Sequence, residues 1–249
     1  MRPRKGQPYY TAYEERYRAI YGQGITHWSA FPAELDAVAA DVNAFLVDFS
    51  LTPEATPRIV EFGCGEGFVG VWLAERGFDY TGLDIAPSAL EKARARLARF
   101  GAKARVRQAD LTDLKDLSAD FFDAAVDVST LHMLVVDRDR SAYLKEAFRL
   151  LKPGAPVLFC HEAFRAGAAD EPVTGYEQWL RLSGTDVDTP VEREAWEDGR
   201  PVRIRLPLIA ARGRSEEQYH REVEVAGFSY LGGTGSADEN WMTFLARKP

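Results

Sequence analysis

Cysteine is scarce in this chain of 249 residues: only Cys64 and Cys160 are present. Two cysteines cannot build a disulfide framework, and they fit a reduced, cytoplasmic setting. The four histidines are scattered rather than spaced as metal ligands, so no metal is expected. No apolar run reaches the length of a bilayer span. The basic start Arg2-Pro3-Arg4-Lys5 has no apolar segment behind it, which argues against a secretory signal. Basic charge is also in short supply. Lys and Arg number 31 against 38 Asp and Glu, a net charge of −7. A nucleic-acid partner needs a basic face, so neither nucleic acid nor membrane is expected. Internal repeats and low-complexity tracts are missing too. What remains is 46% apolar residues, enough to bury a large core in one α/β domain.

Along the chain, Tyr9 to Tyr21 reads as an aromatic, charged helix that Gly22-Gln23-Gly24 ends. A second helix, Ala33 to Phe49, carries Leu35, Val38, Ala39, Val42, Phe45 and Leu46 at helical spacing. Alternation begins after Pro57. Strands are expected at 58–62, 79–84, 104–109, 122–128 and 156–161, with helices at 67–76, 88–100 and 138–151. Such alternation predicts right-handed crossovers and a parallel sheet covered on both faces. Phe164 to Gly213 breaks the rhythm with charge, Pro, Trp179, Trp196 and one strand-like piece, Val202–Leu208. A segment of that length in a compact domain predicts a lid over the sheet edge. A helix Ser215–Ala226 and strands Phe228–Leu231 and Trp241–Ala246, joined by a glycine-rich loop, close the chain. The expected division is a helical cap (1–52), a ligand-binding core (57–163), a lid (164–213) and a C-terminal helix with a strand pair (214–249).

The first strand ends at Glu61-Phe62 and breaks into Gly63-Cys64-Gly65-Glu66-Gly67, glycine at every second position. A strand, a glycine turn and a helix form the edge that an α/β sheet offers to a nucleotide-like ligand. Two templates fit. Gly65-Glu66-Gly67-Phe68-Val69-Gly70 satisfies G-x-G-x-x-G, with Asp84 about twenty residues on as a ribose acid. Its register is poor, since that pattern should begin where the strand ends, at Gly63. The other is E-x-G-x-G-x-G, matched by Glu61, Gly63, Gly65 and Gly67.

This second template resembles the first motif of the class I, Rossmann-like S-adenosylmethionine-dependent methyltransferases of small-molecule type. Gly82-Leu83-Asp84-Ile85-Ala86 is similar to their second motif and Gln108-Ala109-Asp110-Leu111 to their third. Asp123 to Val128 resembles the fourth strand, and Arg149-Leu150-Leu151-Lys152-Pro153-Gly154 the turn before the fifth. The resemblance implies a doubly wound seven-stranded sheet, mostly parallel with the last strand antiparallel. It implies S-adenosylmethionine as cofactor, with Asp84 on the ribose hydroxyls and Asp110 at the adenine amino group. It adds Cys64, Ile85, Leu111, Val128 and His132 as cofactor lining and Trp28 as part of an N-terminal cover with His27, Tyr17 and Tyr21.

Charge favours the same template. Carboxylates at Glu61 and Asp127, on adjacent strand ends, would repel a pyrophosphate but suit an ammonium group. His161, beside Glu162 at the end of the fifth strand, is expected at the crevice as a general base. No Asn/Asp-Pro-Pro-aromatic motif follows the fourth strand; the chain reads Asp127-Val128-Ser129-Thr130 there, and a small-molecule acceptor methylated at O, N or S is expected. A nicotinamide-dependent oxidoreductase and a cofactor-binding protein without transfer activity stay open as rivals.

Overall fold

The computed structural model describes residues 2–3, 6–28, 32–236 and 240–249, with the backbone alone described at 32–34 and 236. Arg4 and Lys5 of the basic start and residues 237–239, between the last two strands, lie outside the described residues. In chain order come α1 (Ala12–Tyr21), α2 (Pro32–Asp48), β1 (Arg58–Phe62), α3 (Phe68–Glu75), β2 (Asp79–Asp84) and α4 (Pro87–Leu97). Next are β3 (Ala104–Gln108), β4 (Ala124–Val128), α5 (Asp137–Leu150), β5 (Pro156–Ala163) and α6 (Tyr176–Ser183). The chain ends with β6 (Pro190–Glu197), β7 (Arg200–Pro207), α7 (Glu216–Val225), β8 (Ser229–Ser236) and β9 (Trp241–Arg247).

Seven strands form one sheet in the order β3-β2-β1-β4-β5-β9-β8. The first five pair in parallel, and β9 runs antiparallel to both β5 and β8. Strand order reverses direction between β1 and β4, which opens a crevice at their carboxyl ends. Each face is covered. Tyr143, Leu144 and Ala147 of α5 and Tyr219 and Val223 of α7 pack on one side. Val42 and Phe45 of α2, Leu73 of α3 and Leu90 of α4 pack on the other. Each fully buried Leu or Phe contributes about 1.5–3 kcal/mol. Among the described residues, no helix is long and apolar enough to cross a membrane.

Three features depart from the sequence reading. The segment after β5 holds a helix, α6, and a β6–β7 hairpin, of which only the second strand was foreseen. β8 continues to Ser236, so its glycines lie in the strand. A register shift falls between Tyr230 and Gly232, and Gly232 has φ +117°. The third is a bulge in β5. Register shifts between Phe159 and Glu162, and His161 takes φ +55°.

The N-terminal helix is tied to the core by polar contacts. α4 begins with Pro87 and has no side-chain cap of its own. Glu14 of α1 accepts the Ser88 N–H at 2.9 Å and the Ser88 hydroxyl at 2.6 Å. A carboxylate from another element thus satisfies the positive end of α4.

Candidate active site

A cavity of about 410 Å³ opens at the carboxyl ends of β1, β2 and β4, roofed by α1. Eleven of the fourteen expected residues line it: Trp28, Glu61, Gly63, Cys64, Gly65, Asp84, Ile85, Asp110, Leu111, Val128 and His132. Gly67 does not. It is the N-cap of α3 with φ +74°, and a Cβ there would press on Ala93 of α4 at 3.0 Å. Asp127 is fully buried beneath the floor, where it accepts the Tyr143 hydroxyl at 2.7 Å and the Thr130 N–H at 2.9 Å.

His161, the expected base, does not line the cavity either. The β5 bulge explains why. In an unbroken strand His161 would share a face with Phe159, toward Asp127. The extra residue turns His161 instead to Asp41 of α2, 3.9 Å from its Nε2, and brings Glu162 to the Asp127 side. Glu162 is fully buried. Its Oε2 accepts the His132 backbone N–H at 2.7 Å and lies 2.9 Å from His132 Nδ1, while its Oε1 accepts the Thr130 N–H at 3.1 Å.

The glycine loop approaches the cavity closely. Gly63 has φ +72°, and a Cβ there would collide with the Thr130 side chain. Gly65 has φ +49°, and its Cβ would meet the Tyr17 hydroxyl at 2.7 Å. Asp84 holds the loop: its carboxylate accepts the Gly65 N–H at 2.7 Å and the Ala86 N–H at 2.8 Å. Asp110 accepts the Tyr10 hydroxyl at 2.9 Å and the Thr112 N–H at 2.9 Å. Glu61 accepts the Tyr80 hydroxyl. Burial pushes the Glu61 carboxyl up to about 8 and raises Asp84 above the usual carboxylate range.

The roof carries Tyr17, expected as part of the cover, and residues that the sequence reading left out: Tyr10, Tyr13, Ile20 and Arg16. Tyr10, Tyr13, Tyr17 and Ile20 repeat at three- and four-residue steps, and all line the cavity with Arg16. That periodicity was the available signal. Arg16 is the one Lys or Arg among the described lining residues. It donates to the Pro207 carbonyl at 3.1 Å and lies 4.9 Å from the Trp28 ring centre. Trp28 is anchored in turn through its backbone N–H to Glu66 at 2.9 Å, which also accepts the Tyr21 hydroxyl at 2.8 Å.

Comparison with known proteins agrees with this geometry. Residues 59–154 match the family model described as "Methyltransferase domain". The ubiquinone biosynthesis O-methyltransferase of Alkalilimnicola ehrlichii is 34% identical over 102 residues, 41% of this chain and 40% of that protein. The chain spans about half the length of the curated relatives it matches. Among solved structures, the CcbJ methyltransferase of Streptomyces caelestis superimposes with a TM-score of 0.67 at 18% identity, over 96% of this chain and 98% of that one. The 1,6-didemethyltoxoflavin-N1-methyltransferase of Burkholderia thailandensis, solved with 1,6-didemethyltoxoflavin and S-adenosylhomocysteine, gives 0.64 at 18%, over 100% and 93%. These two likenesses show the fold. Sheet order and crevice define a Rossmann-like architecture. Within that architecture, residues 59–154 are similar to a methyltransferase domain, as are the curated relatives over the part they share with this chain.

Proposed function

We propose that this cavity binds S-adenosylmethionine and directs its methyl group to a small-molecule acceptor at O, N or S. The observation that carries the reading is the arrangement of charge along the wall: four acidic residues, Glu61, Glu66, Asp84 and Asp110, and, among the described lining residues, a single Lys or Arg, Arg16. A pyrophosphate dianion would face those acids with one cation to offset them. The zwitterionic amino-acid end of S-adenosylmethionine suits them better. Arg16 would hold its carboxylate, Glu61 its ammonium, Asp84 the ribose hydroxyls and Asp110 the adenine amino group. Bare backbone at Gly63 and Gly65 accommodates a ligand lying across the loop, and a volume of about 410 Å³ falls in the range of small-molecule sites.

Bound there, the group supplies an electrophilic methyl on a good leaving group. The protein's own part is to align the acceptor and exclude water. Tyr13, Tyr17 and Trp28 from the N-terminal segment and Ile209 from beyond the hairpin close the cavity over the strand ends. Calorimetry with S-adenosylhomocysteine and with NAD tests the cofactor. Micromolar binding of the first and none of the second is expected, and the reverse would restore the oxidoreductase reading. Transfer of radiolabel from S-adenosylmethionine into a pooled small-metabolite extract tests the reaction; binding without transfer would leave a cofactor-binding protein.

A further inference from the structure

We infer that His132 and Glu162 form a general-base pair that takes a proton from a hydroxyl acceptor, so the methylated atom is the oxygen of a phenol or related hydroxyl. This deepens the methyltransferase reading and rests on it. The geometry is specific. The Leu131-His132-Met133 turn follows β4 and is pinned by three contacts to one carboxylate: Thr130 N–H, His132 N–H and His132 Nδ1 all meet Glu162. Oε2 already accepts the His132 backbone N–H, so an ionised Glu162 meets Nδ1 as an acceptor and Nδ1 carries the hydrogen. Nε2 is then left with a free lone pair. It makes no hydrogen bond among the described residues, and His132 is one of the residues that line the cavity.

The surroundings fit a base that works from the neutral ring. Burial pushes the His132 imidazole down to about 4 and the Glu162 carboxyl up to about 7. Around the pair stand Asp127 of β4, Arg140 and Tyr143 of α5, Tyr219 of α7 and Tyr13 of α1. Arg140 donates to the Leu131 and Leu134 carbonyls at 2.7 and 2.9 Å, which fixes the turn, and its charge is met by Glu222 at 2.6 Å. Trp241 packs against the imidazole at 5.8 Å between ring centres, and it lines the cavity with Met133 and Ile209. An apolar, aromatic wall with one base suits an aromatic hydroxyl.

In the step, the acceptor oxygen forms a bond to the methyl carbon. The carbon–sulfur bond breaks with its electron pair going to sulfur. The hydroxyl proton passes to His132 Nε2, and Glu162 stabilises the imidazolium through Nδ1–H until water takes the proton away. His132 is the catalytic residue and Glu162 a positioning residue.

The test uses two probes, catechol and the more acidic 4-nitrocatechol, which is largely ionised at neutral pH. For His132→Ala, transfer from radiolabelled S-adenosylmethionine to catechol should fall about 10²–10⁴-fold, and transfer to 4-nitrocatechol less than about 10-fold. Glu162→Gln should show the same selectivity with a smaller loss. A second readout needs no turnover. With S-adenosylhomocysteine present, 4-nitrocatechol bound to the wild type should ionise at lower pH than when bound to His132→Ala, followed by absorbance. Equal losses on both probes, no loss, no wild-type transfer to catechol, or identical ionisation midpoints would overturn the proposal. Rates are compared at saturating S-adenosylmethionine, so that a change in cofactor affinity is kept apart from a change in transfer. A wild type that fails to bind S-adenosylhomocysteine would instead overturn the cofactor assignment.

Discussion

Asp84 shows how much one side chain is asked to do. One of its oxygens accepts the Gly65 N–H and the other the Ala86 N–H, and the proposed reading asks the same carboxylate to take a ribose hydroxyl. Asp84→Asn keeps the shape but loses the charged acceptor, which should weaken S-adenosylhomocysteine binding by about 1–3 kcal/mol in calorimetry. Unchanged affinity would remove Asp84 from the site. Such residues were legible in the sequence because Glu61, Asp84 and Asp110 each stand at or just past the end of an expected strand. Glu162 was not, because a bulge of one residue exchanged its face with that of His161, and no residue type in Cys160-His161-Glu162 announces a bulge. Glu61 offers a second test. Its carboxyl moves from an ordinary 4.5 to about 8 on folding, so the folded chain holds that proton more tightly than the unfolded chain. Stability from this group is full at low pH and is lost as pH rises from about 4.5 to 8. His132 acts oppositely, with stability lost as pH falls from 6.5 to about 4. Glu61→Gln should therefore melt above the wild type at about pH 8, with a difference that shrinks toward pH 5 in thermal scans.

Elements add what residues cannot. α1 and the turn before it reach three parts of the core: Tyr10 of the turn meets Asp110, and Glu14 and Tyr21 of α1 meet Ser88 and Glu66. Ile20 at the C-terminal end of α1, with Ile25 just beyond, joins Ala195, Ile204 and Leu206 of the β6–β7 hairpin in a small apolar cluster. Cap and hairpin are thus packed on one another over the cavity, a contact between distant segments that periodicity within either segment could not reveal. α6 escaped notice because it is only eight residues long, and β6 because Glu192, Arg193 and Glu194 give it the look of a solvated loop. This packing predicts that α1 and the β6–β7 hairpin close as one unit. Hydrogen exchange with and without S-adenosylhomocysteine should show both gaining protection together. Protection gained by α1 alone would uncouple the hairpin, and full protection of both without ligand would make them fixed walls rather than a lid.

At the scale of the whole molecule, a parallel sheet and the acidic balance were both readable in advance, the first from alternation and the second from counting, whereas the seven-stranded form with its antiparallel last strand came from the family resemblance. Their consequence is a choice of cofactor that can be measured as stability. A ligand that binds only the folded chain stabilises it by about 2.7 kcal/mol at a hundred times its Kd. For a domain of about 150–250 residues each kcal/mol moves the melting midpoint by about 2–4 °C, so S-adenosylhomocysteine should raise it by about 5–11 °C. NAD should leave the midpoint unmoved. Its pyrophosphate would enter a cavity walled by Glu61, Glu66, Asp84 and Asp110, on a chain of net charge −7, with Arg16 as the one Lys or Arg among the described lining residues. Thermal scans with each ligand measure the contrast, and Asp84→Asn should shrink the S-adenosylhomocysteine shift at fixed ligand concentration. If NAD raised the midpoint as far, the carboxylates at the strand ends would not be selecting against phosphate, and G-x-G-x-x-G at Gly65 to Gly70 would have to be taken as the working motif. The packing of that segment speaks against this. Gly67 is spent on contact with Ala93, and a Cβ at Gly70 would run into the Tyr80 ring, so both glycines serve the fold rather than a phosphate.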